Sequence, residues 1–219
     1  MTFRVQFEEG LSQLRTHIKE LALDTKEALN RAIDALYNQD VVTAKQIMED
    51  DNKIDDKEVQ INEETILMIA KQQPVATDLR RLIIALKISS DLERMADHAT
   101  NIAKATIHLG KDHSLTVSPE LKEMASVAAD MLDLSIKAFE NEDITLARKL
   151  GEMDDIIDEK YGEVIREMLE QTAVNPEQIQ HIMQMAFSAR YIERFADHIT
   201  NIGENIFYLV KGKPYDLND

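Results

Sequence analysis

Cysteine and tryptophan are absent from this chain of 219 residues, and proline and glycine are scarce, with four and six residues. The absence of cysteine excludes disulfide bonds and thiolate metal sites, and it fits a reducing compartment. Few prolines and glycines disfavour architectures of short strands and tight turns. Apolar runs are only a few residues long, whereas a membrane helix needs about 20, and the first residues show no signal-peptide pattern. We therefore expect a cytoplasmic protein that does not insert into a membrane.

Basic side chains are the minority among the charged residues. The chain has 25 Lys and Arg against 41 Asp and Glu, which gives a formal net charge of −16. This surplus of negative charge repels nucleic acid phosphates and anionic lipid surfaces, so we predict no nucleic acid partner. It is compatible with bound cations and with basic protein partners. Most of these charges are expected to face water, as charged side chains usually do.

The chain is rich in helix-forming residues, and it also contains an internal repeat. The segment ERMADHATNI, which begins at Glu93, recurs as ERFADHITNI from Glu193, with eight of ten letters identical. A second block, ALYNQDVVTAKQIMEDDNKID from Ala35, aligns with AFENEDITLARKLGEMDDIID at an offset of 103 residues. The sequence is therefore a tandem duplication, and we predict two domains, residues 1–110 and 116–219.

Each half is predicted to form three helices, because apolar residues recur at helical spacing between short polar breaks. In the first half, Asp40 is the predicted N-cap of the second helix, and Pro74 is predicted in the first turn of the third. The second half has breaks at 141–143 and 172–177, and the linker GKDHSLTVSP joins the halves. Short connections imply antiparallel neighbours. The predicted fold is all-α, with two tandem three-helix bundles and six helices related by internal duplication.

The repeated motif places two carboxylates on one side of a helix. Glu93 and Asp97 lie about 40° apart at 100° per residue, and leucines occupy the same stripe about two to four turns earlier. We therefore expect this acidic pair on a core-facing stripe, where each unpaired carboxylate would cost on the order of several kcal/mol to bury. Arg190 can neutralise Glu193 in the second half, but its counterpart, Ser90, cannot do so in the first.

Metal binding is the other way to compensate these charges. Carboxylates at positions i and i+4 can reach one ion or bridge two, and oxygen ligands suit Fe, Mn, Mg or Ca. The preceding helix of each half carries a further pair of aspartates at the same spacing. The sequence alone leaves two interpretations open, a carboxylate metal site in each half or acids that are solvated and salt-bridged. The candidate metal ligands are Asp51, Asp55, Glu93, Asp97, Asp154, Asp158, Glu193 and Asp197.

The motif histidines point away from the acidic pair. His98 and His198 each lie about 140° around the helix from the Glu of their motif. They are therefore predicted not to bind the same ion. We expect them to have a structural role instead, as hydrogen-bonding partners of a neighbouring helix.

With these motifs in place, the chain resembles the PhoU family of phosphate-signalling regulators over essentially its whole length. The resemblance rests on the two Glu-x-x-x-Asp motifs, on TDLRRLIIALKISSDLER upstream of the first, and on the acidic stretches DDNKIDD and MDDIIDE. It implies a six-helix protein of two similar three-helix bundles that forms a homodimer. It also implies a negative regulator that acts with the ATPase subunit of the phosphate ABC transporter and with a phosphate sensor histidine kinase. Such a regulator represses the phosphate-starvation response when phosphate is plentiful.

The resemblance also implies a cofactor, because motifs of this type bind divalent or ferric metal ions, including iron clusters, through Glu and Asp. The matching positions are Glu93, Asp97, Glu193 and Asp197. The other four aspartates named above extend this implied ligand set.

Three classes of function are compatible with the sequence. The first is a non-enzymatic regulator that binds metal and partner proteins, and it is favoured because the sequence has no Gly-rich phosphate loop, GxSxG motif or cysteine nucleophile. The second is a carboxylate-bridged di-metal oxidase or iron store of the ferritin type. Such sites use Glu-x-x-His, whereas Ala96 and Ala196 follow the motif glutamates by three residues. The third is a structural scaffold whose acids face water.

Overall fold

The computed structural model describes residues 2–111 and 116–217 of the chain. Within these residues it contains six α-helices and one short 3-10 turn, which confirms the predicted all-α fold of two three-helix repeats. No helix in these ranges is long and apolar enough to cross a membrane. The helices are α1 (Thr2–Tyr37), α2 (Val41–Gln72), α3 (Ala76–Leu109), α4 (Pro119–Asn141), α5 (Ile144–Val174) and α6 (Ile179–Lys211), with the 3-10 turn at Pro176–Gln178.

Two equivalent aspartates start the second helix of each repeat. Asp40 is the N-cap of α2, and its Oδ1 accepts hydrogen bonds from the backbone amides of Val42 at 3.0 Å and Thr43 at 3.1 Å. Asp143 caps α5 in the same way, with Thr145 and Leu146 as donors. The cap predicted at Asp40 is therefore confirmed. These bonds satisfy amides that have no partner within the helix.

The predicted position of Pro74 is wrong. Helix α3 begins at Ala76 after the N-cap Val75, so Pro74 lies before the first turn rather than within it. Gln73 adopts the left-handed conformation with φ 44° and Val75 is extended with φ −127°. A residue that precedes proline is disfavoured in the right-handed α conformation, so the reversal between α2 and α3 occupies three non-helical residues. Of the predicted linker, residues 112–115 lie outside the described ranges.

Within each repeat, the predicted apolar stripes form the core. Ile47, Ile54 and Ile61 of α2 recur every seven residues, and all three are buried. Helix α1 packs on α2 and α3, and α4 packs on α5 and α6. The stripe of α1 is also buried throughout, at Leu11, Leu14, Ile18, Leu21, Leu29, Ile33 and Leu36.

The two repeats are joined along their third helices, and α1 also packs on α4. Helices α3 and α6 run antiparallel, since Asp91 faces His198 whereas His98 faces Tyr191. Buried residues of both repeats belong to one continuous hydrophobic core. The tandem bundles are therefore fused side by side. In each repeat the four candidate metal ligands lie on the second and third helices, α2 and α3 or α5 and α6.

Candidate functional site

The four predicted acids of the first repeat converge where α2 packs on α3. Burial raises the pKa of Glu93, and the charge of Asp97 raises it further. Burial also raises the pKa of Asp51, with Asp55 and Asp97 adding to the rise and the Thr100 hydroxyl opposing it. The pKa of Asp55 is raised by burial and by Asp97. Carboxylates from the two helices therefore lie close enough to repel one another.

The second repeat assembles its four acids in the same way between α5 and α6. Asp154 is 3% exposed, and burial raises its pKa to about 7, with contributions from Asp158, Asp197 and Glu193. Burial and the charge of Asp197 also raise the pKa values of Asp158 and Glu193. All eight residues predicted from the sequence are thus brought together as two sets of four.

These acids lie at the edge of the core rather than on a fully core-facing stripe, which corrects the expectation from helix geometry. Leu82 of the same stripe is buried, whereas Leu79 and Leu86 are half-buried. Glu93 is half-buried and Asp97 is exposed. Burial of a charge is costly, so the carboxylate end of the stripe stays near solvent. Asp154 is the exception among the eight residues.

The second cluster contains two buried carboxylate oxygens that accept no hydrogen bond, although one of them, Glu193 Oε2, lies 3.9 Å from Arg194 Nε. Arg190 Nη1 lies 2.5 Å from Glu193 Oε1, which confirms the neutralising role expected of this arginine. The other oxygen, Glu193 Oε2, and Asp154 Oδ1 are buried and accept no hydrogen bond. Buried carboxylate oxygens in this state favour a proton or a cation.

The donor set of the clusters fits a hard cation, because all the candidate ligands are carboxylate oxygens. As placed, however, no three His, Asp or Glu side chains within residues 2–111 and 116–217 are arranged to hold one metal ion. An ion bound here would therefore require the carboxylates to turn toward it. The exposed members of each cluster have room to do so.

The first cluster differs from the second in what surrounds it. A pocket of about 370 Å³ adjoins Asp51 and Thr100, and it is lined by charged residues of α1 and α2. One of these is Asp50, which accepts a hydrogen bond from Arg31 at 2.9 Å. The equivalent of Asp50 in the second repeat is Met153. The wall of this pocket therefore carries an acidic residue that has no acidic equivalent in the second repeat.

The motif histidines meet at the interface between the repeats. His198 Nδ1 lies 3.0 Å from Asp91 Oδ1 on α3, which confirms for this histidine the predicted hydrogen bond to a neighbouring helix. His98 Nδ1 is buried and makes no hydrogen bond, so the predicted bond is not found at that nitrogen. Asn201 Nδ2 donates to the same oxygen at 3.4 Å. The ring of His98 stacks on His198, with centroids 5.6 Å apart, and on Tyr191 at 6.0 Å. Both histidines therefore hold the repeats together.

Sequence reasoning missed the partners of these histidines. Asp91 and Tyr191 occupy equivalent positions, two residues before the motif glutamate, and each contacts the histidine of the other repeat. The available signal was a polar or aromatic residue at the same place in both copies. Ala96 and Ala196, where a ferritin-type site would carry its histidines, are fully buried.

Comparison with known proteins matches both halves of the chain to one family. The model of the PhoU domain matches residues 18–106 and 121–206. A phosphate-specific transport system accessory protein PhoU homolog from Clostridium acetobutylicum is 32% identical over 214 residues, which covers 97% of this chain and 98% of that protein. The phosphate-specific transport system accessory protein PhoU of Escherichia coli (strain K12) is 31% identical over 210 residues, or 96% and 87% of the two chains.

Comparison of the three-dimensional fold with solved structures leads to the same family. The crystal structure of PhoU from Pseudomonas aeruginosa superposes with a TM-score of 0.89 at 31% identity, and the match covers 94% of this chain and all of that one, 100%. Sequence and structure thus agree over nearly the whole length of the protein. The chain belongs to the PhoU family, whose members are accessory regulatory proteins of phosphate transport rather than enzymes.

Proposed function

We propose that this protein is a negative regulator of phosphate uptake and of the phosphate-starvation response. The observation that carries the proposal is similarity over both repeats to phosphate-specific transport system accessory proteins. Its proposed partners are the ATPase subunit of the phosphate ABC transporter and a phosphate sensor histidine kinase. A net charge of −16 is suited to basic surfaces on such partners.

Deletion of the gene tests the regulatory role. Without the protein, phosphate-starvation genes should be expressed in medium rich in phosphate, and a plasmid copy of the gene should restore repression. A starvation response that stays repressed in the deletion strain would refute the proposal. Binding of the purified protein to each proposed partner can be measured separately, and failure of both interactions would remove the partners from the proposal.

We propose further that each acidic cluster binds divalent or ferric metal ions, including iron clusters. Four carboxylates from two helices repel one another in each repeat, and a cation between them would offset that repulsion. The buried oxygens Asp154 Oδ1 and Glu193 Oε2, which accept no hydrogen bond, support binding in the second repeat most directly. When bound, the metal would supply positive charge that fixes α2 against α3 and α5 against α6.

Metal analysis of a variant tests this assignment. Replacement of Glu93, Asp97, Glu193 and Asp197 by alanine should abolish metal content after loading under identical conditions. It should also abolish the rise in melting temperature that metal causes by binding the folded state. The control replaces four exposed acids of the facing helices α2 and α5 with alanine, namely Glu49, Glu63, Glu152 and Glu159. Equal metal content in the two variants would contradict the assignment.

We also propose that the protein acts as a homodimer, as its family resemblance implies. The duplicated architecture gives one chain two similar clusters, so a dimer would present four. Light scattering of the purified protein at micromolar concentration measures the mass directly. A monomeric mass across the concentration range would remove this part of the proposal without affecting the regulatory role.

A further inference from the structure

One long side of the α3–α6 pair is left open by the other helices. Helix α3 packs on α1, α2 and α6, while α6 packs on α3, α4 and α5, and α1 and α4 also pack on each other. Within the described residues, no helix lies over the side of α3 and α6 that is opposite α1 and α4. This side is here called the open face, and its exposed residues include Ile83, Lys87, Arg94, Met183, Phe187 and Arg194.

Equivalent positions of the two repeats lie at opposite ends of the open face, because α3 and α6 run antiparallel. Lys87 lines a pocket with residues from the second half of α6, whereas Met183 lines a pocket with His108 near the end of α3. The position equivalent to Lys87 is Phe187, while Arg94 is equivalent to Arg194. The open face therefore has a cationic end around Lys87, an apolar end around Phe187 and two arginines between them.

At the cationic end, basic side chains lack acidic partners within the described residues. Between positions 79 and 90, α3 carries three basic residues and no acidic one. Lys87 is exposed and forms no ion pair there. Arg94 is also exposed, and although its charge lowers the pKa of Glu93, the two side chains form no ion pair. Both cations are therefore accessible to a carboxylate from another molecule.

The acids beside Lys87 interact with other residues. Asp91 Oδ1 lies within hydrogen-bond distance of His198 and Asn201. Glu204 Oε1 accepts a hydrogen bond from the amide of Leu217 at 3.2 Å. Both acids line the same pocket as Lys87 without pairing with it. The positive charge of Lys87 is thus not neutralised by contact within the described residues.

At the apolar end, large side chains of α6 face solvent at helical spacing. Ile179, Met183 and Phe187 recur every four residues, and they are 47%, 41% and 43% exposed. No acidic residue occurs between positions 178 and 192, although the chain has 41 of them. Full burial of such a side chain contributes about 1.5 to 3 kcal/mol. This end of the open face is therefore suited to apolar contact.

We propose that the open face binds an amphipathic helix of a partner protein, whose apolar side chains pack on Met183 and Phe187 and whose acidic side chains reach Lys87 and Arg94. A trough between two packed helices accepts a third helix in this way. Phe187 and Lys87 are about 22 Å apart along the helix axes, so a helix of about 15 residues spans both. The different ends of the face give the partner one orientation.

Charge favours a different protein over a second copy of this chain as the occupant. Two open faces that met would bring Lys87 and Arg94 of one copy toward a surface with the same cations, and two chains of net charge −16 repel each other. An acidic helix supplies the carboxylates that these cations lack.

Peptide binding to the full-length protein provides the first test. The probes are two labelled, amidated peptides of equal composition, titrated by fluorescence anisotropy. EAQEAQAEAQFAQALAQL separates glutamates from large apolar residues along one side of a helix, and EAQLAQAEAQFAQAEAQL alternates them. The first should bind about tenfold more tightly, because it alone can set all its glutamates at the cationic end while its apolar residues reach Phe187. Equal affinities would overturn the proposal.

Two substitutions locate the binding site. Lys87→Glu should remove the preference for the first peptide, which a difference in helicity between the free peptides could not explain. Phe187→Ala should weaken binding of that peptide about tenfold, because its apolar residues lose a contact. The matched controls, Lys137→Glu on α4 and Leu23→Ala on α1, change exposed residues on the opposite side of the molecule and should leave the affinity unchanged. Binding that survives both open-face substitutions would contradict the docking site.

Light scattering tests the second copy as occupant. The mass of the wild type should equal that of Lys87→Glu and of Phe187→Ala at the same concentration. A dimeric wild type that either substitution converts into a monomer would show that the open face binds another copy, and it would overturn the proposal. Circular dichroism checks that each variant is folded, as expected for substitutions of exposed residues.

Discussion

Asp154 is the residue whose chemistry departs furthest from that of an isolated side chain. Its side chain is buried close to the carboxylates of Asp158, Asp197 and Glu193, and its Oδ1 atom accepts no hydrogen bond. Its counterpart Asp51 is half-buried, faces Thr100 and adjoins a polar pocket. The two repeats therefore have equivalent acids in different surroundings. Because Asp154 is more deeply buried than Asp51, a proton or a cation should stabilise the second cluster more than the first.

Stability should depend on pH through Asp154. Its pKa is about 7 in the folded protein against an ordinary 3.8, so the stability that its proton contributes is present below pH 3.8 and lost as pH rises through 7. Asp154→Asn removes the charge and should raise the free energy of unfolding at pH 8 by about 2 kcal/mol, with allowance for solvent screening. At pH 4 the change should be small. Urea denaturation at both pH values measures it, with the exposed Glu152→Gln as control.

His98 should have the opposite pH dependence. Burial, together with the charges of His198, Arg194 and Arg94, lowers its pKa from 6.5 to about 4, although Asp97 opposes the shift. Folding therefore disfavours protonation of His98, and the free energy of unfolding decreases as pH falls from 6.5 toward 4. His98→Phe retains a ring against His198 and Tyr191 without the titration. It should flatten the decline in melting temperature over this window, and a decline as steep as in the wild type would contradict the assignment.

At the scale of the helices, equivalent N-cap aspartates mark the start of the equivalent helices α2 and α5. Asp40 and Asp143 cap α2 and α5 with the same pair of bonds, one to the second and one to the third residue after the aspartate. Local sequence is sufficient for such a cap because donor and acceptor are at most three residues apart. The turn before α3 was less predictable, since the conformations of Gln73 and Val75 depend on where α3 must begin to meet its neighbours.

Removal of either cap should destabilise the protein by about the same amount. Asp40→Ala and Asp143→Ala should each lower the free energy of unfolding by about 1 kcal/mol, because two backbone amides lose their acceptor. The exposed Asp56→Ala within α2 serves as the control and should change stability by less than about 0.5 kcal/mol. Denaturant titration compares the three variants. A cap variant indistinguishable from the control would show that water replaces the cap without cost.

At the scale of the whole molecule, polar contacts reinforce the apolar interface between the repeats. Glu142, at the end of α4, accepts hydrogen bonds from Arg15 at 2.9 Å and from Arg81 at 2.7 and 3.2 Å. One carboxylate of the second repeat thus joins α1 and α3 of the first. This network is partly buried, whereas the neighbouring pair of Lys19 and Glu140 is more exposed.

Loss of the Glu142 charge should weaken the joint between the repeats. Glu142→Gln leaves Arg15 without a carboxylate and Arg81 with Asp78 alone, and it should lower the free energy of unfolding by about 1 to 2 kcal/mol. Glu140→Gln, the matched control on the same helix, should cost less than about 1 kcal/mol. Because the network spans the interface, Glu142→Gln should also reduce the cooperativity of unfolding, seen as a lower m-value. Equal losses in the two variants would contradict a special role for Glu142.

The sequence by itself determined the helices, the duplication and the eight clustered acids. Those features depend on spacing along one helix or on copies that can be aligned, such as Glu93 with Asp97 and Glu193 with Asp197. Hydrophobic periodicity reports which side of a helix is buried, because that side recurs every 3.6 residues.

Only the tertiary structure decided how the repeats meet and how deeply each acid is buried. The stacking of His98 on His198, the hydrogen bond of His198 to Asp91 and the position of Leu217 between two glycines join residues that are distant in the chain. No local pattern encodes such contacts, because they depend on the shape that six packed helices leave between them. The same reason explains why Asp154 is buried while its aligned partner Asp51 is not, since burial is set by neighbouring helices rather than by the residue itself.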